Sequence, residues 1–240
     1  MQWFECWFNT PYYHLLYGKR NEEEAAFFLD NLLKYLNLPT GASCWDLNCG
    51  KGRHSVYLHK KGFDVIGTDI AEESIVIARQ SENDTLHFYT HDMRGLFYAN
   101  YFNAVFNLFT SFGYFKSKHE DEKVFKSVAN SLKPGGVFVL DFFNTELVLK
   151  KLVSEENKTI CDVDFKIKKK TENGFIIKEI VVKDKGKELR YKEEVHAFTL
   201  SDFEHFAQAA GLKIKKMFGN YKLEHFNAST SERLIIIFAK

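Results

Sequence analysis

The sequence is poor in proline, in cysteine and in net charge, and each shortage excludes a class of protein. With 3 prolines and 14 glycines in 240 residues, it is neither a proline-rich linker nor a fibrous repeat. Its 4 cysteines are too few and too scattered for a disulfide framework, and Cys44 and Cys49 lack the spacing and histidine partners of a zinc site. The net charge of +1 argues against a chain that holds nucleic acid or membrane by overall charge.

Long apolar runs are also missing. None approaches the roughly 20 residues that a membrane-spanning helix needs, and the aromatic N-terminus lacks the basic start of a secretion signal. We therefore expect a reduced cytoplasmic protein without membrane contacts, and nothing in the sequence indicates an oligomeric state. A hydrophobic content of 45%, with 24 phenylalanines, suffices for a large core and leaves aromatic surface to line a pocket.

Strands alternate with helices over the first part of the chain. Five predicted strands are short apolar runs bounded by turn residues, at 43–47, 63–70, 85–92, 101–109 and 137–144. This alternation is typical of a doubly wound parallel sheet with helices on both faces. A helix at 199–211 and strands at 212–218 and 233–239 are expected to complete a seven-stranded, mostly parallel α/β sheet.

The sequence pattern changes after about residue 150. Three or so segments alternate polar and apolar residues at period two and are separated by short turns, which predicts an antiparallel meander. We therefore assign 1–150 and 199–240 to the α/β domain and 151–198 to an inserted antiparallel β lobe. Lys166, Lys168 and Lys170 share one face of a strand in this lobe, and we interpret them as a solvated face rather than an RNA-binding patch.

A glycine-bearing turn follows the first strand and contains Asp46, Gly50 and Gly52. The two glycines allow a nucleotide-like ligand to approach the backbone closely. Asp69 ends the second strand, where its carboxylate can accept hydrogen bonds from both ribose hydroxyls, and Asp92 ends the third, where it can accept one from the adenine amine. Because the carboxyl ends of parallel strands meet at one edge of a sheet, we expect the three acids to gather there.

The same turn indicates which nucleoside binds. It lacks the G-x-G-x-x-G of dinucleotide folds, and a pyrophosphate would meet the negative charge of Asp46. Acids around the pocket suit a cationic ligand better. S-adenosylmethionine combines an adenosine with a sulfonium and carries no phosphate, so we expect it to be the cofactor, with no metal.

At these residues the sequence resembles the class I S-adenosylmethionine-dependent methyltransferases. D-L-N-C-G-K-G-R-H-S at 46–55 is similar to their D-x-G-x-G-x-G motif, G-T-D-I at 67–70 to the end of their second strand, and L-K-P-G-G at 132–136 to the turn before their fifth. The likeness covers most of the chain and is that of the small-molecule branch with an inserted β lobe. Asn48 replaces the first glycine of the motif, and asparagine tolerates a positive φ.

The resemblance extends the expected site beyond the acids and glycines. The expected cofactor contacts are Arg20, Asp46, Asn48, Gly50, Gly52, Asp69, Ile70, Asp92, Met93 and Asn107. The N-terminal segment is implied to fold over the cofactor as a lid, in which Arg20 grips the methionine carboxylate. Tyr13, Tyr17 and Tyr114 are the candidates for the substrate pocket.

Each candidate has a plainer alternative. Asp69 can cap the following helix, Asp92 can pair with Arg94, and the tyrosines can simply pack against the sheet. Phe112 and Phe115 are better interpreted as core. No histidine stands out as a general base and no catalytic residue is assigned, since methyl transfer from a sulfonium depends mainly on alignment and desolvation.

We predict methyl transfer from S-adenosylmethionine to a nucleophilic atom of a small-molecule acceptor. The N-P-P-Y or D-P-P-Y tetrapeptide of enzymes that methylate base amines or glutamine amides is missing after the fourth strand, which argues against a nucleobase acceptor. Three alternatives stay open: a non-catalytic binder of the cofactor or of S-adenosylhomocysteine, an RNA methyltransferase, and a nicotinamide-dependent oxidoreductase. The sequence does not specify which atom of the acceptor is methylated.

Overall fold

The computed structural model describes residues 3–17 and 22–240, which form two β-sheets and the helices that cover them. The helices are α1 Trp3–Trp7, α2 Pro11–Tyr17, α3 Glu22–Leu36, α4 Arg53–Lys60, α5 Glu72–Ala78, α6 Lys118–Ser131, α7 Thr145–Lys150 and α8 Leu200–Ala210. The strands are β1 Ser43–Leu47, β2 Asp64–Asp69, β3 Leu86–Thr90, β4 Phe102–Asn107, β5 Leu132–Phe143, β6 Glu155–Ile160, β7 Val163–Glu172, β8 Phe175–Asp184, β9 Lys187–His196, β10 Lys213–Phe218 and β11 Arg233–Ala239. In the described part of the chain, no helix combines the length and apolar character that crossing a membrane requires.

Sheet A contains seven strands in the order β10-β11-β5-β4-β1-β2-β3. The five strands from β5 to β3 pair in parallel, whereas β11 runs antiparallel to both of its neighbours. The predicted doubly wound, mostly parallel α/β architecture is therefore confirmed. The strand order reverses between β1 and β4, and open sheets of this kind bind ligands at the carboxyl ends of the strands beside such a reversal.

Two features of the sheets differ from the sequence-based expectation. β5 begins at Leu132, before the K-P-G-G turn, because Phe102 pairs with Leu132 while Ala104 pairs with Val137, so the turn forms a bulge within the strand. The lobe has four strands rather than three, since E-E-N-K-T-I forms the edge strand β6. Edge strands bury little, so this polar and mostly exposed segment shows no alternating apolar pattern in the sequence.

Helices cover both faces of sheet A over separate apolar cores. Trp45, Phe125 and Phe138 are fully buried on one face, and Phe28 and Phe88 are fully buried on the other. Close packing of large aromatic side chains on both faces fixes the strand ends that carry the site. Both aromatic residues expected in the core after β4 are buried there, which confirms that interpretation of Phe112 and Phe115.

Sheet B is the antiparallel lobe, in the order β6-β7-β8-β9. Its inner face buries Phe165 and Ile180 against Trp7 of α1 and Leu16 of α2, so the N-terminal helices share a small core with the lobe. Its outer face carries the lysines of β7. Lys166 pairs with Glu155 and Lys170 with Glu172 and Glu179, and all of these side chains are about half exposed, as expected of a solvated face.

Asp121 of α6 and His196 of β9 lie next to each other where α6 packs against the lobe. The Nε2 atom of His196 lies 3.9 Å from the carboxylate of Asp121, and the imidazole is stacked between the rings of Phe175 and Phe198, at centroid distances of 3.9 and 4.5 Å. Burial, and then the charge of Glu120, raises the pKa of Asp121 to about 8. The folded protein therefore holds this carboxyl protonated at neutral pH.

Replacing Asp121 with asparagine is expected to stabilise the protein progressively as the pH rises from 5 to 8. The raised pKa means that the folded chain binds more protons than the unfolded chain in this window, so the free energy of unfolding of the wild type falls with increasing pH. The variant lacks this loss and gains roughly 3–4 kcal/mol relative to the wild type across the window, since one proton over three pH units corresponds to about 1.4 kcal/mol per unit. Urea unfolding at three pH values measures the difference.

The exposed carboxyl of Asp84 provides the control for this experiment. The free energy of unfolding of Asp84→Asn is expected to change with pH in the same way as that of the wild type. A constant difference between Asp121→Asn and the wild type from pH 5 to 8 would show that Asp121 is ionised in the folded state, contrary to this assignment.

Candidate active site

The turn between β1 and α4 brings backbone to the carboxyl edge of sheet A. Asn48 adopts φ 64°, as anticipated for the residue that replaces a glycine, and its side-chain amide donates to Ser111 O at 3.0 Å. Gly50 adopts φ 55°, and a Cβ atom there would meet no other atom within 4 Å. Gly52 has a different role, because a Cβ there would lie 2.6 Å from the ring of the buried Phe88.

Asp46 is buried at the end of β1. Its carboxylate accepts a hydrogen bond of 2.6 Å from the hydroxyl of Ser55 in α4. Burial raises the pKa of Asp46 to about 6, although the hydrogen bond from Ser55 acts in the opposite direction. The carboxylate holds the start of α4 against β1 and contributes negative charge to the adjoining cleft.

Asp69 ends β2 and connects two turns. One carboxylate oxygen accepts from the backbone amide of Gly50 at 2.8 Å, and the other accepts from Ala71 at 2.9 Å. Burial raises the pKa of Asp69, while these backbone hydrogen bonds favour its ionised form. The carboxylate has about four acceptor sites, and the backbone amides of Gly50, Ala71 and Ile70 use three of them at most, which leaves a site for a ligand hydroxyl. The alternative that Asp69 caps the following helix is wrong, because the N-cap of α5 is Ala71 and no side chain makes a cap hydrogen bond there. Asp69 instead holds the N-cap residue through its backbone amide.

Asp92 lies two residues beyond the end of β3 and pairs with Arg94. The Nε atom of Arg94 lies 3.0 Å from each carboxylate oxygen, and Arg94 also contacts Glu120 and lies over the ring of Phe115. Burial would raise the pKa of Asp92, but the hydrogen bonds from Arg94 outweigh it and hold the pKa low. The pairing left open by the sequence is thus present, and the adenine contact stays a prediction.

Two of the three acids border an inner cavity of about 120 Å³. Asp69 and Asp92 line it together with the apolar side chains of Ile70 and Met93, and Met93 is almost fully buried. A slot with apolar walls and two carboxylates at its edge suits a flat heterocycle joined to a ribose. Ile70 and Met93 therefore line the same cavity as the two acids, and their contact with the cofactor stays a prediction.

An outer cleft of about 530 Å³ adjoins this cavity, within the range of roughly 300–1,000 Å³ typical of small-molecule sites. The two spaces share the lining residues Phe8, Tyr13, His14, Asn48, Gly50, Ser111 and Tyr114. We call this shared zone the junction. The junction is therefore the place where a molecule in the inner cavity and one in the outer cleft would meet.

The loop after β4 forms one wall of the outer cleft. Phe109 and Thr110 both have positive φ, 57° and 62°, a conformation that costs energy and persists where surrounding contacts enforce it. Asp141 of β5 supplies those contacts, because its carboxylate accepts from Phe109 N at 2.8 Å and its carbonyl accepts from Thr110 N at 3.0 Å. Arg233 neutralises the buried carboxylate at 2.8 Å and donates to the Thr110 hydroxyl at 2.9 Å.

The N-terminal helices form the opposite wall. Glu193 of β9 is buried and accepts hydrogen bonds of 2.7 Å from Trp7 in α1 and from Tyr17 in α2. Burial would raise the pKa of Glu193, but Lys178, 2.9 Å away, and the two donors keep it lowered. This carboxylate therefore joins the N-terminal segment to the lobe.

The remaining candidates divide between these surfaces. Tyr13 and Tyr114 line the junction, while Tyr17 lines the outer cleft with its hydroxyl bound to Glu193. Asn107 is fully buried and donates to Leu47 O and Ser111 O, so its visible role is to hold the loop. Arg20 lies outside the described residues, and its contact with the methionine carboxylate stays a prediction.

Sequence reasoning missed three residues of the site. His14 lies in the junction. Asp141 lies behind the strained loop, and Glu193 lies under the N-terminal helices. The single acid in the apolar run V-F-V-L-D-F-F was the available sign of Asp141, because a buried charge requires a partner. Nothing in the local sequence distinguishes His14 or Glu193 from surface residues.

The described residues fit S-adenosylmethionine. Gly50 leaves room for close approach, Asp69 can accept from ribose hydroxyls, and Ile70 and Met93 give the inner cavity apolar walls that suit a base. Among the described residues no group of His, Cys, Asp and Glu could hold a metal ion. When bound, the cofactor supplies an electrophilic methyl group on a sulfonium, and the chain has to align an acceptor with it and exclude water.

Comparison with known proteins agrees with this geometry. Residues 45–136 match a family described as "Methyltransferase domain". A dTDP-3-amino-3,4,6-trideoxy-α-D-glucopyranose N,N-dimethyltransferase of Streptomyces venezuelae is 30% identical over 218 residues, which cover 86% of this chain and 91% of that protein.

Solved structures are similar over nearly the whole chain. An S-adenosylmethionine-dependent methyltransferase of Clostridium acetobutylicum superposes with a TM-score of 0.80 at 21% identity, covering 95% of each chain. The cofactor-bound amino pentose methyltransferase CalS10 of Micromonospora echinaspora superposes with a TM-score of 0.73 at 20% identity, covering 96% of this chain and 97% of that one. These two structures support the fold. The Streptomyces venezuelae relative shows the family, and the chain belongs to the S-adenosylmethionine-dependent methyltransferases.

Proposed function

We propose that the acceptor is an aliphatic amine, carried by a nucleotide-linked amino sugar, and that its nitrogen is methylated. The observation that carries this proposal is the aromatic lining of the junction. Tyr114 is surrounded by the rings of Trp3, Phe4 and Phe8, at centroid distances of 5.4, 6.2 and 5.5 Å. Aromatic faces stabilise cations, and a methylated amine is a cation as soon as it forms.

The chemistry of methylation makes this environment useful. Attack by a neutral amine moves positive charge from the sulfonium to the nitrogen, and aromatic rings beside the reacting atoms would stabilise that charge before and after the transfer. Apolar side chains along the outer cleft, such as Phe143, Val148 and Ile176, keep water from the reacting atoms. The amino sugar named for the Streptomyces venezuelae relative has an acceptor of this class.

Methylation of defined acceptors tests the proposal. The protein is incubated with S-adenosylmethionine and dTDP-3-amino-3,4,6-trideoxy-α-D-glucopyranose, the sugar named for that relative, and products are measured by mass spectrometry. We expect S-adenosylhomocysteine to form together with singly and then doubly methylated sugar. The matched control acceptor carries a hydroxyl in place of the amine and is expected to remain unmodified.

Three outcomes contradict the proposal in different ways. Methylation of the hydroxyl sugar would show that oxygen is the acceptor atom. Methylation of a simple alkylamine but not of the sugar nucleotide would retain the amine and exclude the sugar. Transfer to a structured RNA, with no transfer to any amine, would restore the alternative that the sequence argued against.

A further inference from the structure

His14 is the imidazole that lies at the junction. It belongs to α2, its ring contacts Tyr13 at a centroid distance of 5.4 Å, and it lines both the inner cavity and the outer cleft. With the methyl donor in the inner cavity and the acceptor in the outer cleft, a side chain on both spaces would border both molecules. The methyl transfer described above assigns no role to His14.

The other described histidines at these two spaces are engaged elsewhere. His54 accepts a hydrogen bond from Arg53 at 3.1 Å and is stacked on Phe109 at a centroid distance of 4.9 Å. His91 donates through Nε2 to Gly95 O at 3.0 Å and lines the inner cavity but not the outer cleft. Neither lies in the junction.

The carboxylates near the junction are also engaged. Asp46 accepts from Ser55, Asp69 accepts from two backbone amides, and Glu193 is held by three donors that include Lys178. These carboxylates are therefore poorly placed to accept and release a proton at an acceptor nitrogen.

The electrostatic surroundings keep the His14 imidazole neutral. Burial, and then the charge of Lys51, lowers the pKa of His14, so the ring has a free acceptor nitrogen at pH 7. The other titratable or charged groups that line the same spaces are Tyr13, Tyr17, Asp46, Cys49, Arg53, His54, Asp69, His91, Asp92, Tyr114, Lys178, Glu193 and Arg233.

We propose that His14 is the general base that accepts a proton from the acceptor amine. An ammonium acceptor transfers one N–H proton to the His14 imidazole, which frees the nitrogen lone pair. The lone pair forms the C–N bond as the C–S bond breaks, and the electron pair of that bond remains on sulfur. His14 then releases its proton to water. This assignment rests on the proposed amine acceptor.

Replacing His14 with glutamine tests the assignment. At pH 7 with the amino sugar nucleotide, kcat is expected to fall by roughly 10²- to 10⁴-fold, the usual contribution of a general base. The affinity for S-adenosylhomocysteine, measured by calorimetry, is expected to stay within about threefold of the wild-type value, as proton transfer plays no part in cofactor binding. Added imidazole is expected to restore part of the rate. His205→Gln, at an exposed position on α8, is the matched control and should behave as the wild type.

The protonation state of His14 gives a second measurement that does not depend on turnover. In the ¹⁵N spectrum of the wild type with S-adenosylhomocysteine, the His14 signal is identified by its loss in the variant, and it is expected to be neutral at pH 7. A charged ring at pH 7, or an unchanged kcat in His14→Gln, would overturn the assignment while leaving the amine acceptor intact. A wild type that methylates no amine would overturn the proposed function and this inference together.

Discussion

Replacing Asp69 with alanine is expected to weaken the binding of S-adenosylmethionine by roughly 100-fold, or about 3 kcal/mol, since hydrogen bonds to a charged group contribute about 1.5–3 kcal/mol each. Two losses add up in this variant. On the predicted contact the ribose hydroxyls lose their acceptor, and the amide of Gly50 loses the bond of 2.8 Å that holds the turn after β1. Isothermal titration calorimetry with S-adenosylmethionine and with S-adenosylhomocysteine measures both affinities.

Two further variants make the result specific. Asp64 begins the same strand and is exposed, so Asp64→Ala should bind the cofactor as the wild type does. Asp69→Asn keeps one oxygen acceptor but replaces the other with a donor, which faces either an amide or a hydroxyl. Its affinity for the cofactor should therefore fall between those of the wild type and Asp69→Ala. An Asp69→Ala affinity within about threefold of the wild-type value, well below the expected loss, would exclude Asp69 as the ribose ligand.

The acids at the strand ends were predictable from the sequence because their positions depend on local pattern. Apolar runs with turn residues behind them locate β1 and β2, and the topology of a parallel sheet then places Asp46 and Asp69 at one edge. The positive φ of Asn48 was predictable for the same reason, since the turn alone demands it. For these residues, local sequence and tertiary structure impose the same requirement.

His14 and Glu193 were not predictable because their environment comes from distant parts of the chain. The partners of Glu193 include Trp7 and Tyr17, more than 170 residues away along the sequence. The position of His14 in the junction depends on how α2 packs against sheet B, which the sequence pattern of seven residues does not determine. Such contacts arise only when the N-terminal helices and the lobe fold together.

The two glycines of the β1 turn were expected to serve the same purpose, yet their surroundings differ. Gly50 faces open space in the junction, whereas Gly52 faces the ring of Phe88 in the core. The D-x-G-x-G-x-G likeness alone could not separate these roles, because the packing of α4 and α5 on β3 decides the second one.

Replacing Gly52 with alanine is therefore expected to destabilise the fold by about 4 kcal/mol, whereas Gly50→Ala should cost only about 1 kcal/mol. Both positions have positive φ, which costs a residue with a Cβ roughly 1–2 kcal/mol. Only at Gly52 does the new Cβ also meet packed atoms, at 2.6 Å from Phe88 and 3.1 Å from Ala78, and overpacking adds about 1–3 kcal/mol. Urea unfolding of the two variants under identical conditions measures the difference.

Cofactor affinity should distinguish the same two variants the other way round, with the larger loss of binding in Gly50→Ala. Gly50→Ala places a methyl group in the junction and is expected to weaken S-adenosylhomocysteine binding, while folded Gly52→Ala should bind nearly as the wild type does. If Gly52→Ala is too unstable to purify, Gly52→Ala combined with Phe88→Leu is expected to be more stable than the sum of the single losses, because the smaller side chain relieves the contact. Equal destabilisation by the two alanines, or no recovery in the double variant, would mean that backbone strain rather than the Phe88 ring explains the requirement for glycine at position 52.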